Sequence, residues 1–169
     1  MDLKKAETLA KSLMKEHGID NEWEFAWSRS VMTFGMCKRG WKNGVFRQQI
    51  LLSKRLTEVR SEIPVKMTIL HEIAHAIVGP EQGHNEIWRN KCIEIGGNGN
   101  SRETTFEDIA KVVKYTYHCG IDDEIIRVSE RRLSTVGLTC RFHYGADVHR
   151  KHLVRGVRVL DTDIINEVG

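Results

Sequence analysis

The sequence of 169 residues contains no long apolar run and only four cysteines. A membrane-spanning helix requires about 18 or more consecutive apolar residues, and no segment approaches that length. Residues 1–18 form a charged amphipathic segment without the apolar centre of a signal peptide. We therefore expect a cytoplasmic protein with no membrane association and with reduced thiols. Cys37 and Cys92 match no metal-binding spacing and are expected to be small core residues.

The overall charge is nearly balanced, with a formal net charge of +3, and it excludes no class of partner. Its distribution is uneven, however. Residues 29–60 contain eight Lys or Arg residues against one acidic residue, and residues 127–158 contain eight against two. Such basic tracts can bind a polyanion, although solvated faces have the same composition. We expect DNA contact through both tracts, and a nucleoid or nuclear location if the protein is DNA-associated.

Hydrophobic periodicity predicts an α+β fold for the first half of the chain. Apolar residues at helical spacing predict a first helix over residues 2–17. Short strands are expected over residues 23–27, 32–38 and 45–53, with a turn at residues 42–44. Since no helix separates these strands, they predict a small antiparallel three-stranded sheet. The third strand is either an edge that an extended peptide can join or an interior strand.

The most informative stretch is His-Glu-Ile-Ala-His at residues 71–75, inside a helix predicted to run from Pro64 to Gly79. Residues i and i+4 share a helix face, so His71 and His75 can bind one metal ion. Burying two imidazoles and a carboxylate in an apolar helix without a partner would be costly. A metal ion removes that cost, so the motif predicts zinc binding.

His84 is the expected third metal ligand. For another side chain to reach the ion, the helix must stop and the chain must reverse, and the Gly-Pro pair and second glycine within residues 79–83 allow that reversal. Glu86 and Glu94, on the next predicted helix, are competing candidates. Three neutral imidazoles match the open geometry of a catalytic zinc site, which favours His84.

Glu72 lies between the two helical histidines and is the expected general base. Zinc in such a site polarises the scissile carbonyl and lowers the pKa of water towards about 7. Glu72 would accept the proton of the water and later deliver it to the leaving amine. The alternative is that Glu72 only orients a metal ligand. Tyr115 and Tyr117 are candidates for the oxyanion stabiliser by residue type alone.

Residues 1–95 resemble the SprT-like zinc metalloprotease family, which includes the Spartan-type proteases. The resemblance is carried by the N-terminal helix, by Ile-Leu-Leu-Ser at residues 50–53, by the helix segment 70–76, and by Gly-His at residues 83–84 followed by Trp88. It implies a compact zincin-like core, zinc on three histidines and the glutamate as general base. Spartan-type members cleave proteins crosslinked to DNA and require DNA binding, so the resemblance also implies DNA-protein crosslink repair.

A glycine- and asparagine-rich segment, residues 96–100, follows a helix expected over residues 85–95. Such a segment breaks regular structure and is the best candidate for a domain boundary. It separates a predicted protease core of residues 1–100 from a basic, β-rich region of residues 101–169.

The C-terminal region resembles the zinc ribbon that many SprT-like chains carry, but each Cys-x-x-Cys knuckle has lost one cysteine. Cys119 and Asp122 occupy the first knuckle, and Cys140 and His143 occupy the second. His118 is an alternative to Asp122 as a ligand. A second, structural zinc ion and a ribbon-like appendage held by hydrophobic packing alone are both consistent with this pattern.

Three functions are compatible with the sequence. The first is a zinc endopeptidase that acts on DNA-associated proteins, and the second is a regulatory or cell-wall-directed zinc peptidase. The third is a non-proteolytic DNA-binding zinc protein. Dependence of activity on DNA would separate the first two. The presence of Glu72 argues against the third, because a purely structural site needs no general base. The sequence leaves the oligomeric state open.

Overall fold

A computed structural model describes residues 1–102, 105–119, 124–129, 131–133 and 155–158. The chain divides into two compact units, Met1–Thr104 and Thr105–Gly169. The fold is mixed α+β, and each unit contains a small sheet. Among the helices in these ranges, none combines the length and the apolar character that crossing a membrane requires.

The described residues of the first unit form four α-helices, one short 3₁₀ helix and three strands. These elements account for the helix, strand, strand, strand, helix order that the sequence predicts. In chain order they are α1 (Leu3–Glu16), β1 (Glu24–Ser28), β2 (Gly35–Lys42), β3 (Val45–Ser53), α2 (Lys54–Glu58), α3 (Glu62–Val78), the 3₁₀ helix (Pro80–Gln82) and α4 (Glu86–Glu94).

The predicted first helix is confirmed as α1. The Asp2 carboxylate caps it by accepting a hydrogen bond from the Lys5 N–H at 2.9 Å. The Trp27 indole N–H donates to the Glu7 carboxylate at 3.2 Å, which ties α1 to β1. The apolar face of α1 is buried, as the periodicity predicts, through Ala6, Ala10, Leu13 and Met14.

The sheet of the first unit has the strand order β1-β3-β2 and is mixed. β2 runs antiparallel to β3, whereas β1 runs parallel to β3, with Glu24 opposite Gln49 and Ser28 opposite Ser53. The prediction of an antiparallel three-stranded sheet is therefore wrong for β1. Over its second half β3 is paired on both sides, so it is the interior strand and not an edge.

The connection between β1 and β2 explains this order. Ser53, at the end of β3, donates its hydroxyl to the Ser30 carbonyl and its N–H to the Phe34 carbonyl, the latter at 2.7 Å. Residues 29–34 therefore pass around the end of β3 and carry the chain from one side of it to the other. The alternation of polar and apolar residues within a strand contains no information about such a crossing.

The β2–β3 hairpin closes at Asn43 and Gly44, which have φ angles of 51° and 76°. Both central residues of a type I′ turn require positive φ, and an Asn-Gly pair is the sequence that best accepts it. The predicted turn at residues 42–44 is confirmed.

α3 is the central element of the first unit, and it packs against α1, α4, β2 and β3. Its residues Val65, Ile69 and Ile73 are fully buried. The helix begins two residues before Pro64 and ends at Gly79, as the Gly-Pro pair predicts. α3 is covered on several sides. The polar residues of its last turns, His71, Glu72 and His75, line a cleft.

The second unit contains α5 (Phe106–Ala110) and a three-stranded sheet of β4 (Tyr115–His118), β5 (Ile125–Ser129) and β6 (Arg155–Arg158). The strand order is β5-β4-β6, and both pairings are antiparallel. The described residues of this unit are thus rich in β-structure.

Candidate metal centre

Three imidazoles converge at the end of α3. His71 and His75 lie on successive turns of α3, and His84 follows the 3₁₀ helix that reverses the chain. The His84 Nε2 atom lies 3.0 Å from the His71 Nε2 atom and 3.2 Å from the His75 Nε2 atom. Two nitrogens bound tetrahedrally to zinc at about 2.05 Å are about 3.3 Å apart. The three side chains therefore form a group that can hold a metal ion and that fits zinc.

The His71 ring is oriented by the backbone that follows α4. Its Nδ1 atom lies 3.1 Å from the Asn100 carbonyl oxygen. A carbonyl can only accept a hydrogen bond, so Nδ1 carries the proton and the lone pair of Nε2 faces the other imidazoles. The buried Nδ1 of His75 has no hydrogen-bond partner within the described ranges, and the His75 ring stacks on the Trp88 indole.

Trp88 packs against all three imidazoles. Its ring centroid lies 4.6 Å from that of His71, 5.2 Å from that of His75 and 4.6 Å from that of His84. The Trp88 side chain is fully buried, and its indole N–H donates to the His71 carbonyl at 3.4 Å. The Asn85 side chain caps α4 by accepting from the Trp88 N–H at 3.1 Å. Trp88 thus joins α4 to the metal centre.

The imidazoles are held in the neutral form that metal binding requires. Burial lowers the pKa of His71 and of His75 to about 4, and the neighbouring imidazoles add to the effect. Burial also lowers the pKa of His84. All three rings are therefore unprotonated near pH 7.

The metal-free protein is expected to lose stability as the pH falls from about 6.5 towards about 4. In the unfolded chain the imidazoles of His71 and His75 accept protons below their ordinary pKa of 6.5, whereas the folded protein excludes those protons until about pH 4. The stabilisation of the folded state that results from this difference in proton binding is therefore complete above that pH window and is lost within it. Urea unfolding of chelator-treated protein at several pH values within and above it measures the effect.

Two variants make this measurement specific. Replacing both His71 and His75 with Gln should flatten the dependence within that window. The control variant replaces His17, the C-cap residue of α1, with Gln. It should leave the pH dependence of the unfolding free energy intact. An unfolding free energy of the unmodified protein that is constant across the window would contradict the expectation.

Glu72 lines the same cleft and is almost completely buried. It faces Gly35, the first residue of β2. A Cβ atom at residue 35 would lie 2.6 Å from the Thr68 Cγ2 atom and 2.8 Å from the Glu72 Cγ atom, which is closer than van der Waals contact allows. Glycine at this position therefore lets β2 approach α3 while leaving room for the Glu72 carboxylate.

Cys37, expected as a core residue, also lines the cleft, and it is only partly buried. Burial is the main cause of a raised pKa of its thiol, and the nearby Glu72 carboxylate adds to it. The thiol is therefore protonated at neutral pH. The group of side chains that can hold a metal ion consists of the three imidazoles and does not include Cys37.

The cleft has a volume of about 430 Å³. Met32 and Met36 are partly exposed side chains among those that line it. Among the described residues that line the cleft, Arg102 carries a permanent positive charge. Sequence reasoning missed Arg102 and the Asn100 carbonyl, because they lie in and just after a segment that reads only as a break between helices.

The structure does not test the second set of predicted metal ligands, because most of them lie outside the described residues. Cys119 is buried just after β4, whereas Asp122, Cys140 and His143 lie outside the described residues. The second zinc site therefore stays a prediction. The His118 Nε2 atom lies 2.9 Å from the Thr116 hydroxyl.

The two tyrosines suggested as oxyanion stabilisers belong to the second unit. Tyr117 is buried, and its hydroxyl accepts a hydrogen bond from the Leu133 N–H at 2.6 Å. That hydroxyl thus has a structural partner within its own unit. Tyr115 is partly buried on the same strand.

Comparison with known proteins identifies the family. The model of the SprT-like family matches residues 6–108, which is more than half of the chain and includes the whole metal centre. Among curated proteins, none matches the sequence. The matched region contains the helix with the two histidines, the third histidine and the strand that provides Gly35. The chain belongs to the SprT-like family.

Proposed function

We propose that this protein is a zinc-dependent endopeptidase. The observation that supports this most directly is the convergence of the His71, His75 and His84 Nε2 atoms in a cleft that also contains the buried Glu72. Membership of the SprT-like family, which is associated with zinc peptidases, supports the same conclusion. A purely structural zinc site needs neither an open cleft nor a carboxylate beside the ligands.

In this proposal His71, His75 and His84 hold the zinc ion. When bound, zinc supplies Lewis acidity, which polarises the scissile carbonyl and acidifies water. Glu72 accepts a proton from the attacking water on its carboxylate and transfers it to the nitrogen of the leaving amine. The positive charge of Arg102 attracts carbonyl or carboxylate groups of the substrate into the cleft.

The edge of β2 that faces away from β3, which no other described strand joins, is the proposed binding site for the substrate backbone. β2 pairs with β3 on one side, and its first residues line the cleft beside Glu72. An extended peptide can add to such an edge as a further strand. Because β3 is an interior strand, the strand proposed to pair with a substrate peptide is β2 and not β3. A substrate bound in this way would be an unfolded or extended segment of a protein.

We further propose that the substrates are DNA-associated proteins. The family resemblance and the basic tracts 29–60 and 127–158 support this choice, and a DNA-associated substrate favours a location at the nucleoid or in the nucleus over the general cytoplasm. In this organisation residues 1–100 form the protease core. For residues 101–169 we propose a basic ribbon-like region, held either by a second zinc ion on Cys119, Asp122, Cys140 and His143 or by hydrophobic packing alone.

A proteolysis assay tests the function. The purified full-length protein is incubated with an unfolded protein, or with a protein crosslinked to DNA, and the products are identified by mass spectrometry. We expect internal cleavage that is abolished by a chelator and restored by zinc. We also expect single-stranded DNA to accelerate cleavage of the crosslinked substrate.

The design separates the parts of the proposal. Absence of cleavage by zinc-loaded protein on both substrates would contradict the peptidase function. Cleavage that is the same with and without DNA would contradict the substrate class and leave the peptidase function standing. A zinc content of one ion per chain would contradict the second zinc site.

A further inference from the structure

The end of the β2–β3 hairpin exposes an aromatic pair. We define the hairpin tip as Trp41, Lys42, Val45, Phe46 and Arg47. Trp41 is 75% exposed and Phe46 is 48% exposed, although both are large apolar side chains. Their ring centroids are 5.6 Å apart, with an angle of 60° between the planes. Exposed aromatic rings on a protruding hairpin are unusual unless they bind something.

The hairpin tip lies in a strand pair that has only positive charge. Residues 35–53 contain four Lys or Arg residues and no Asp or Glu. Arg39 pairs with Glu81 at 2.9 Å, and Arg47 lies 3.7 Å from Glu24. Lys38 and Lys42 form no ion pair with any described residue. Their ammonium groups are therefore available to an anionic partner.

The strand register places the aromatic rings on one face of the hairpin and the two lysines on the other. Trp41 lies directly opposite Phe46, so the two rings share one face of the hairpin. Arg39 shares that face, two residues before Trp41 on the same strand. Lys42 is the next residue after Trp41, and its side chain points to the other face. The two inclined rings therefore share their face with Arg39, whereas Lys38, Lys42 and Arg47 lie on the other face of the same two strands.

We propose that the hairpin tip binds single-stranded nucleic acid. Unpaired bases stack on Trp41 and Phe46, and the long side chains of Lys38 and Lys42 reach around the outer strand β2 to contact the phosphates. Stacking on exposed aromatic rings within a positive surface is how proteins bind single strands without sequence preference. A duplex keeps its bases stacked on each other and offers the rings no free face. A polypeptide supplies apolar groups that pack on the rings, but it lacks the regular negative charge of a phosphate backbone that the basic hairpin favours.

This proposal rests on the nucleic-acid element of the proposed function and makes it specific. It assigns to a defined surface the binding that the basic tract 29–60 suggests only by composition. The surface belongs to the same strand, β2, that lines the cleft with its first residues. A bound strand would therefore lie at the far end of the element that is proposed to hold the substrate.

Fluorescence anisotropy of a labelled oligothymidylate, titrated with the full-length protein, tests the proposal. Trp41→Ala should weaken binding by about tenfold, whereas Trp41→Phe should retain most of the affinity because it preserves a stacking face. Lys42→Ala should reduce the slope of log affinity against log salt by about 0.7, as expected for one phosphate contact. A thermal melt of each variant checks that it is folded.

Matched controls lie on α3. Ile63 is 74% exposed and Lys66 is exposed, so Ile63→Ala and Lys66→Ala remove comparable groups from another surface. Both should bind the oligonucleotide like the unmodified protein. Unchanged affinity of Trp41→Ala would overturn the proposal. Equal binding of a blunt duplex, with an equal loss in Trp41→Ala, would overturn its restriction to single strands.

A further outcome distinguishes nucleic-acid binding from polypeptide binding at the hairpin tip. If Trp41→Ala impairs cleavage of an unfolded protein but leaves oligonucleotide affinity unchanged, the surface binds polypeptide and the proposal is wrong. Because anisotropy requires no cleavage, oligonucleotide binding by a protein that cleaves nothing would refute the peptidase function and leave the hairpin proposal standing.

Discussion

Glu72→Gln is expected to reduce peptide-bond cleavage by about 10²–10⁴-fold, which is the usual contribution of a general acid-base group. The amide has nearly the shape of the carboxylate, so it fits beside Gly35 and should leave the fold intact. It cannot accept a proton from water, however. Because Glu72 is not one of the three converging metal ligands, zinc content should remain that of the unmodified protein.

Three measurements on the same preparation establish this result: turnover of an unfolded protein substrate, zinc content by atomic spectroscopy, and the melting temperature. Glu86→Gln is the matched control, since Glu86 is an exposed carboxylate on α4 near His84. It should cleave normally. Substantial turnover by Glu72→Gln would refute the proposed general base. Loss of zinc together with activity would show that Glu72 acts by holding the ligands in place.

Trp88→Ala is expected to lower the free energy of unfolding by about 3–5 kcal/mol, as large-to-small changes of buried aromatic residues do. The fully buried ring contacts the imidazoles of His71, His75 and His84. Removing it leaves a cavity beneath the metal centre and frees those rings to rotate. The zinc affinity should therefore fall together with the stability.

The chain offers the same substitution at an exposed site as a control. Trp41→Ala removes an identical side chain that is 75% exposed, and surface changes of this kind usually alter stability by less than about 1 kcal/mol. Denaturant unfolding of both variants, with zinc and with chelator, gives the comparison. Similar losses in the two variants would mean that Trp88 does not support the centre.

The helical part of the site could be predicted from sequence because its information is local. The spacing of His71 and His75 fixes their common face on any α-helix. The apolar residues around them predict that this helix is buried, and Gly79-Pro80 predicts its end. The role of His84 is less local, since it depends on a reversal of the chain, and the 3₁₀ helix Pro80–Gln82 supplies that reversal.

The strand order could not be predicted, because it is decided by contacts between distant residues. Each strand could be recognised from its own alternation, and the Asn43-Gly44 turn correctly joined β2 to β3. The sequence of residues 23–34 contains no local signal that the chain passes around the end of β3. That path depends on the hydrogen bonds of Ser53 with both parts of the connection.

The supporting contacts of the site were also outside the reach of sequence reasoning. Asn100 acts through its backbone carbonyl, which every residue possesses, so its side-chain identity gives no signal. Gly35 acts through the absence of a side chain opposite Glu72. Arg102 matters only because the chain after α4 returns to the cleft. Each of these roles depends on a neighbour far away in the sequence.

The parallel pairing of β1 with β3 has a consequence for how the molecule folds. The β2–β3 hairpin is joined by a two-residue turn and can form early, whereas Glu24 meets Gln49 only after the intervening chain is in place. We therefore expect β1 to join the sheet after the hairpin has formed. Gly35 and Glu72 are further apart in sequence than Glu24 and Gln49, so the same reasoning places the approach of β2 to α3, and with it the assembly of the cleft, after the sheet is complete.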